Sequence, residues 1–257
     1  MNKKNMPIGF LDSGVGGISV LREAVKLMPN EHYIYYGDSK NAPYGVKKVD
    51  EIKDLTYKAV DFLIEKGAKA IVIACNTATS AAVAPLRVTY TSIPIIGIEP
   101  AVKPAVELHR EGLIIIMATP LTLKEKKFKN LVDRYDNKDK IISMPCPELV
   151  EFVEHGNVRG SEVEEYLKKK FEVYKNEKIA SVVLGCTHYP FVKDIIKEIV
   201  GEDVPVIDGG LGTSKELRRQ LEELDIMTDG TEKGYVKIYN SSDDEIMIEL
   251  SERLLNL

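Results

Sequence analysis

The 257-residue chain has no apolar run long enough to cross a membrane, and none of signal-peptide length at its start, where MNKKNMPIGF gives way to Asp12 and a group of glycines. A cytoplasmic location without a membrane partner is the expectation. Neither sign of charge dominates: 35 basic and 40 acidic side chains leave a net charge of −5, with both signs present along the whole length. That balance suits a soluble globule and argues against a nucleic-acid partner. Cysteine is scarce. Cys75, Cys146 and Cys186 contain no CxxC pair, which excludes a disulfide scaffold and finger-type metal spacing. Each remains a small buried hydrophobe, a free thiol or a reactive thiolate. Nucleotide fingerprints are missing as well, because the glycines of GFLDSGVGG fall at 9, 14, 16 and 17 and match neither GxGxxG nor GxxxxGKS.

What is present is a regular alternation of apolar strand-like runs and charged helical stretches. IGFL at 8–11, YIYYG at 33–37, AIVIA at 70–74, IPIIGI at 93–98, GLIIIMA at 112–118, KIISM at 140–144, ASVVLG at 180–185 and VPVID at 204–208 read as strands, most of them buried on both faces. VDEIKDLTYKAVDFLIEKG at 49–67 has helical periodicity ending at Gly67, and TLKEKKFKNLVDRY at 122–135 and EVEEYLKKKFEVYKNEKI at 162–179 read as charged helices. GYVKIY at 234–239 alternates polar with apolar and suits an edge. The rhythm predicts an α/β protein with mostly parallel sheets covered by helices on both faces. Length alone allows one large domain or two smaller ones.

A weak internal repeat favours two similar halves. Asp12 follows the first buried strand and lies 63 residues before Cys75; Thr119 follows GLIIIMA and lies 67 residues before Cys186. Both cysteines directly follow a buried strand and precede a polar turn, AIVIACNTATS against ASVVLGCTHYP. Ligands of open parallel sheets bind at that carboxyl end of the strands, so two facing halves would share one site.

The surroundings of these cysteines suggest chemistry. Cys75 leads into Asn76, Thr77, Thr79 and Ser80, where a helix start would supply amides for a carboxylate and lower the thiol pKa. Cys186 has Gly185 before it, Thr187 and His188 after it, and Pro190 suited to the first turn of a helix. Asp12 and Ser13 project from the first strand end, where Asp12 reads either as a turn cap or as a partner for a substrate ammonium. Tyr44 and Gly45 lie in a polar loop that reads as a pocket wall or an ordinary surface turn. Two like groups on either side of a planar, carbanion-like intermediate can invert an α-carbon, one as thiolate base and the other as thiol acid. Cys–His nucleophilic chemistry competes but leaves one cysteine unexplained. A metal site of Cys75, Cys186 and His188 would still need a ligand from an aspartate or Cys146.

At FLDSGVGG 10–17, YYGDSKNAPYG 35–45, ACNTATS 74–80 and LGCTHYP 184–190, with MATPLT 117–122 and CPELVEFVEHG 146–156, the chain resembles bacterial glutamate racemases of the aspartate/glutamate racemase superfamily. The resemblance implies interconversion of L- and D-glutamate for peptidoglycan synthesis without pyridoxal, metal or other cofactor, and it allows for a homodimer. It implies two similar three-layer α/β domains with the active site between them, one over 1–98 plus 207–257 and the other over 99–206. Cys75 and Cys186 would be the catalytic pair, assisted by Asp12, His188 and Glu154. Substrate contacts would come from Asp12, Ser13, Tyr44, Gly45, Asn76, Thr77, Thr119, Thr122, Thr187 and His188. Glutamate is favoured over aspartate because a histidine follows GCT, where aspartate racemases tend to carry a glutamate. Aspartate or another small carboxylated amino acid remains an alternative substrate, and a non-enzymatic dicarboxylate-binding protein an alternative function. Glu125, Phe128 and VIDGGLGTSKEL around 208–214 depart from the family pattern.

Overall fold

The computed structural model describes residues 3–124, 129–130, 132–133, 140–242 and 244–257. Glu125 and Phe128 fall outside them, as does part of the helix expected over 122–135. The chain divides into two compact units, Met1–Glu99 with Gly210–Leu257, and Pro100–Gly209.

In the first unit, strands β1 (Ile8–Asp12), β2 (Tyr33–Gly37), β3 (Ala70–Ile73) and β4 (Ile95–Gly97) are linked by helices α1 (Ile18–Leu27), α2 (Val49–Glu65) and α3 (Asn76–Thr89). In the second unit, β5 (Leu113–Ala118), β6 (Ile141–Pro145), β7 (Ile179–Leu184) and β8 (Val206–Asp208) alternate with α4 (Val102–Glu107), α5 (Pro120–Lys124), α6 (Glu148–Glu154), α7 (Ser161–Phe171) and α8 (Lys193–Val200). The chain then returns to the first unit with α9 (Gly210–Glu223), β9 (Val236–Asn240) and α10 (Glu245–Leu255). The departure noted at 208–214 therefore spans the end of β8 and the first turn of α9.

Every strand pairing is parallel, in the orders β4-β3-β1-β2-β9 and β6-β5-β7-β8. The α/β expectation is borne out, and GYVKIY supplies an edge strand, β9, as its alternation suggested. Read from its other edge, the second sheet runs β8-β7-β5-β6, which repeats the first four strands of the first sheet.

Burial explains why the strands carry no polar alternation. All of β1 and β3 is buried, and Phe10, Leu11, Ile71 and Ile73 are completely so, each contributing roughly 1.5–3 kcal/mol relative to exposure. One face of α2, with Ile52, Thr56, Ala59, Val60 and Leu63, is buried. The helix stops where Gly67 takes φ +84 and the Gly67 and Ala68 amides donate to the Ile64 and Leu63 carbonyls. In the second unit Ala101, Val102 and Ala105 share a core with Ile114, Ile116, Ala180 and Val183. Helix starts thus fall immediately after buried strands, and this local event positions the candidate site residues.

Candidate active site

In the first unit the polar groups gather at the carboxyl ends of the adjacent strands β1 and β3. Cys75 is the N-cap of the 14-residue helix α3, with extended backbone (φ −79, ψ 121), and its Sγ accepts from the Ala78 amide at 3.5 Å. A thiolate there would be stabilised by the positive end of the helix. The Cys75 thiol donates to Ser13 Oγ at 3.6 Å, and the Ser13 hydroxyl donates to Asp12 Oδ1 at 3.4 Å. Asp12 Oδ1 also accepts the Gly14 amide at 2.9 Å, while the Tyr35 hydroxyl secures the turn through the Gly14 carbonyl at 2.7 Å. Asp12 therefore caps its turn, as one of its two readings held, and also adjoins the thiol's partner. Asn76 and Thr77 are buried in the first turn of α3, and Asn76 Oδ1 accepts no hydrogen bond among the described residues.

Tyr44 and Gly45 sit in a short 3-10 turn over Tyr44–Val46. The ring of Tyr44 is buried, and its hydroxyl donates to Asp38 Oδ2 at 2.6 Å. Burial, reinforced by the Asp38 carboxylate, raises the Tyr44 pKa and keeps the phenol a donor. Asp38 also accepts from Asn41 Nδ2 and donates its own amide to the Asp12 carbonyl at 3.0 Å. It thereby ties the Tyr44 loop to the Asp12 turn.

The second unit builds a related group at the ends of β5 and β7. Cys186 Sγ lies 3.6 Å from His188 Nδ1, and His188 Nε2 lies 2.6 Å from Glu154 Oε1 at the end of α6. Burial alone would lower the His188 pKa, but the hydrogen bonds and charges of Cys186 and Glu154 outweigh it and hold the pKa well above the ordinary value. The ring is thus disposed to carry a proton beside the thiol. Thr119 precedes α5; its Oγ1 accepts the Thr122 amide at 3.3 Å and lies 3.0 Å from Thr122 Oγ1. Thr187 is buried beside Cys186. Gly185 is required for close approach, because an added Cβ would lie 2.9 Å from the Met117 carbonyl oxygen and 3.1 Å from Ala118 Cβ. Cys146 differs from the other two cysteines: its thiol donates to the Met144 carbonyl, and burial pushes its pKa up to about 12. It reads as a packed hydrophobe.

Matching backbone hydrogen bonds align the two groups residue by residue. The Ala74 amide donates to Leu11 O as Gly185 does to Met117 O, and Asp38 donates to Asp12 O as Cys146 does to Ala118 O. Cys75 therefore corresponds to Cys186, and Ser13 to Thr119. Asp12 corresponds to Ala118, which corrects the pairing of Asp12 with Thr119 suggested by spacing. Strand register, set by hydrogen bonding, overrides the count along the chain.

The model of the Asp/Glu/Hydantoin racemase family matches residues 11–212, spanning both groups. The chain belongs to that family. The resemblance carried by FLDSGVGG, ACNTATS and LGCTHYP is borne out at that level, and this racemase has full-length relatives. It is 60% identical over 255 residues to a glutamate racemase of Clostridium botulinum, covering 99% of each chain, and 58% identical to one of Clostridium acetobutylicum over the full length of both. Among solved structures it is similar to a Bacillus anthracis glutamate racemase isoform (TM-score 0.87, 32% identity, 99% of this chain and 95% of that one). It is also similar to a Francisella tularensis glutamate racemase in complex with D-glutamate (TM-score 0.84, 30% identity, 99% and 95%).

Within the first unit the structure brings Asp12, Ser13 and Cys75 into one chain of contacts. Within the second it joins Cys186, His188 and Glu154. Among the described residues no set of three or more His, Cys, Asp or Glu could hold a metal ion, and no helix is long and apolar enough to cross a membrane. Sequence reasoning passed over Asp38 and Tyr189 as supports. Asp38 stands three residues before Asn41 in YYGDSKNAPYG, a spacing at which an aspartate commonly closes a turn. Tyr189 had no such signal.

Proposed function

We propose that this racemase interconverts L- and D-glutamate by proton transfer between two thiols, without a cofactor, and supplies D-glutamate for peptidoglycan synthesis. The observation that carries the reading is the duplicated strand end: one buried cysteine at the same topological position in each unit, each beside its own acid/base support. Activity toward glutamate is the reading favoured by full-length relatives that share it.

In one direction a thiolate removes the α-proton from one face, and the opposing thiol donates its proton to the other face. Reversal exchanges the two roles. The mechanism requires Cys75 and Cys186 to approach opposite faces of one α-carbon. Asp12, through Ser13, supports Cys75, while the His188–Glu154 pair supports Cys186 as thiolate or reprotonates it. Amides and hydroxyls at the α3 start, with Ser13, Asn76, Thr77, Tyr44 and Gly45, would hold carboxylate and ammonium groups. Thr119, Thr122 and Thr187 would do the same at the other strand ends. Charge developing at the α-carbon is spread into the bound carboxylate, so preorganised donors lower the barrier.

Incubation with each enantiomer of glutamate and of aspartate in deuterated water tests the assignment. Loss of circular dichroism with α-deuterium incorporation is expected for the glutamate pair. Exchange of aspartate but not glutamate would transfer the assignment to aspartate.

A further inference from the structure

His188 and Tyr189 are neighbours in the chain, yet they reach opposite ends of one helix. His188 Nε2 bonds Glu154 at the last residue of α6 (2.6 Å), whereas the Tyr189 hydroxyl donates at 2.7 Å to the carbonyl of Cys146, two residues before α6 begins. The same carbonyl accepts the Leu149 amide of the first helical turn. A seven-residue helix is about 10 Å long, so the two contacts form a two-point clamp across it. Sliding the helix or rotating the Cys186–Val192 segment would break both. Tyr189 is completely buried, and the start of α6 is also held by the Tyr166 hydroxyl, which donates to Glu148 at 2.7 Å.

We propose that Tyr189 is a positioning residue: by closing the second point of this clamp, it holds the His188 imidazole in register with both Glu154 and the Cys186 thiol. The kinetic part of the proposal rests on the reading of Cys186 as a proton-transfer group; the geometric part does not. Cys186 and Glu154 face the imidazole. Cys186, Cys146, Tyr166 and Glu148 surround the phenol. Burial, with those neighbours, raises the Tyr189 pKa well above its ordinary value. The raised pKa keeps the Tyr189 hydroxyl a neutral donor at neutral pH.

Tyr189→Phe keeps the buried ring and removes only the hydroxyl. The full chain and its Y189F, E154Q and Y189F/E154Q variants are compared in two measurements. For glutamate racemisation, Y189F is expected to lower kcat/KM about tenfold in the parent, because misplaced groups lose rate steeply. On the E154Q background the loss should be smaller than in the parent, because the charge-assisted contact to Glu154 is already weakened while the one to Cys186 remains. An equal loss on both backgrounds, or none in the parent, would overturn the proposal. The second measurement is the proton NMR resonance of the His188 ring N–H bonded to Glu154, expected to move upfield or broaden in Y189F; an unchanged resonance also overturns it. If the parent exchanged no α-proton, the racemase reading would fail while the resonance still decided the clamp.

Discussion

Lys69 and Glu31 form an ion pair with side chains 0% and 1% exposed, Nζ to Oε2 at 2.6 Å. Lys69 Nζ also donates to the Lys4 carbonyl at 2.8 Å, and Glu31 Oε1 accepts the Thr228 amide at 2.8 Å, so one pair ties the N-terminal segment and the returning chain to the strands. Burial lowers the Lys69 pKa against the pull of Glu31. Lys69→Met would leave the carboxylate buried with the Thr228 amide but no compensating charge, a loss of about 3–5 kcal/mol. For a unit of this size the corresponding fall in Tm is roughly 6–20 °C. Replacing both partners, Lys69→Met with Glu31→Leu, should restore at least half of that loss, because no bare charge remains. Calorimetry and urea unfolding measure both. Racemisation by the folded variant at 25 °C should match the parent, because Lys69 and Glu31 precede β3 and β2, whereas Cys75 and Asp12 lie at the other strand ends, about 17 Å away. A K69M variant within about 1 kcal/mol of the parent, or a double variant less stable than the single, would refute the reasoning.

Glu154→Gln removes a negative partner that raises the His188 pKa, so the imidazolium is lost at lower pH. The alkaline limb of the pH–rate profile should move toward acid, and a limb that stays or moves toward alkali would contradict the pairing. Gly185→Ala drives a methyl against the Met117 carbonyl at 2.9 Å and should displace Cys186. Activity should fall about a hundredfold, with a stability loss of only about 1–3 kcal/mol by unfolding. Dialysis against a chelator and removal of pyridoxal compounds should leave the rate unchanged; restoration by adding back either would overturn cofactor independence.

The strands were legible because AIVIA and ASVVLG lie between layers of helices, and burial on both faces leaves a continuous apolar run. Cys75 and Cys186 were legible for a related reason: a polar turn immediately after such a run is costly unless it caps a helix or meets a ligand. Register was not legible, since Asp12 corresponds to Ala118 through hydrogen bonds between strands that spacing does not encode. Glu154 was reached only through resemblance, because it lies 34 residues from His188 on a separate helix. Tyr189 and the Lys69–Glu31 pair escaped for the same reason, since each side chain has ordinary local surroundings and acquires its role from a tertiary partner, whereas Asp38 carried a local turn signal that was passed over.

Substituting each thiol separately tests the central claim most directly. Cys75→Ala and Cys186→Ala should each slow glutamate racemisation by about 10²–10⁴-fold or more without a comparable loss of folding. Normal turnover by either folded variant would contradict proton transfer between two sulfurs.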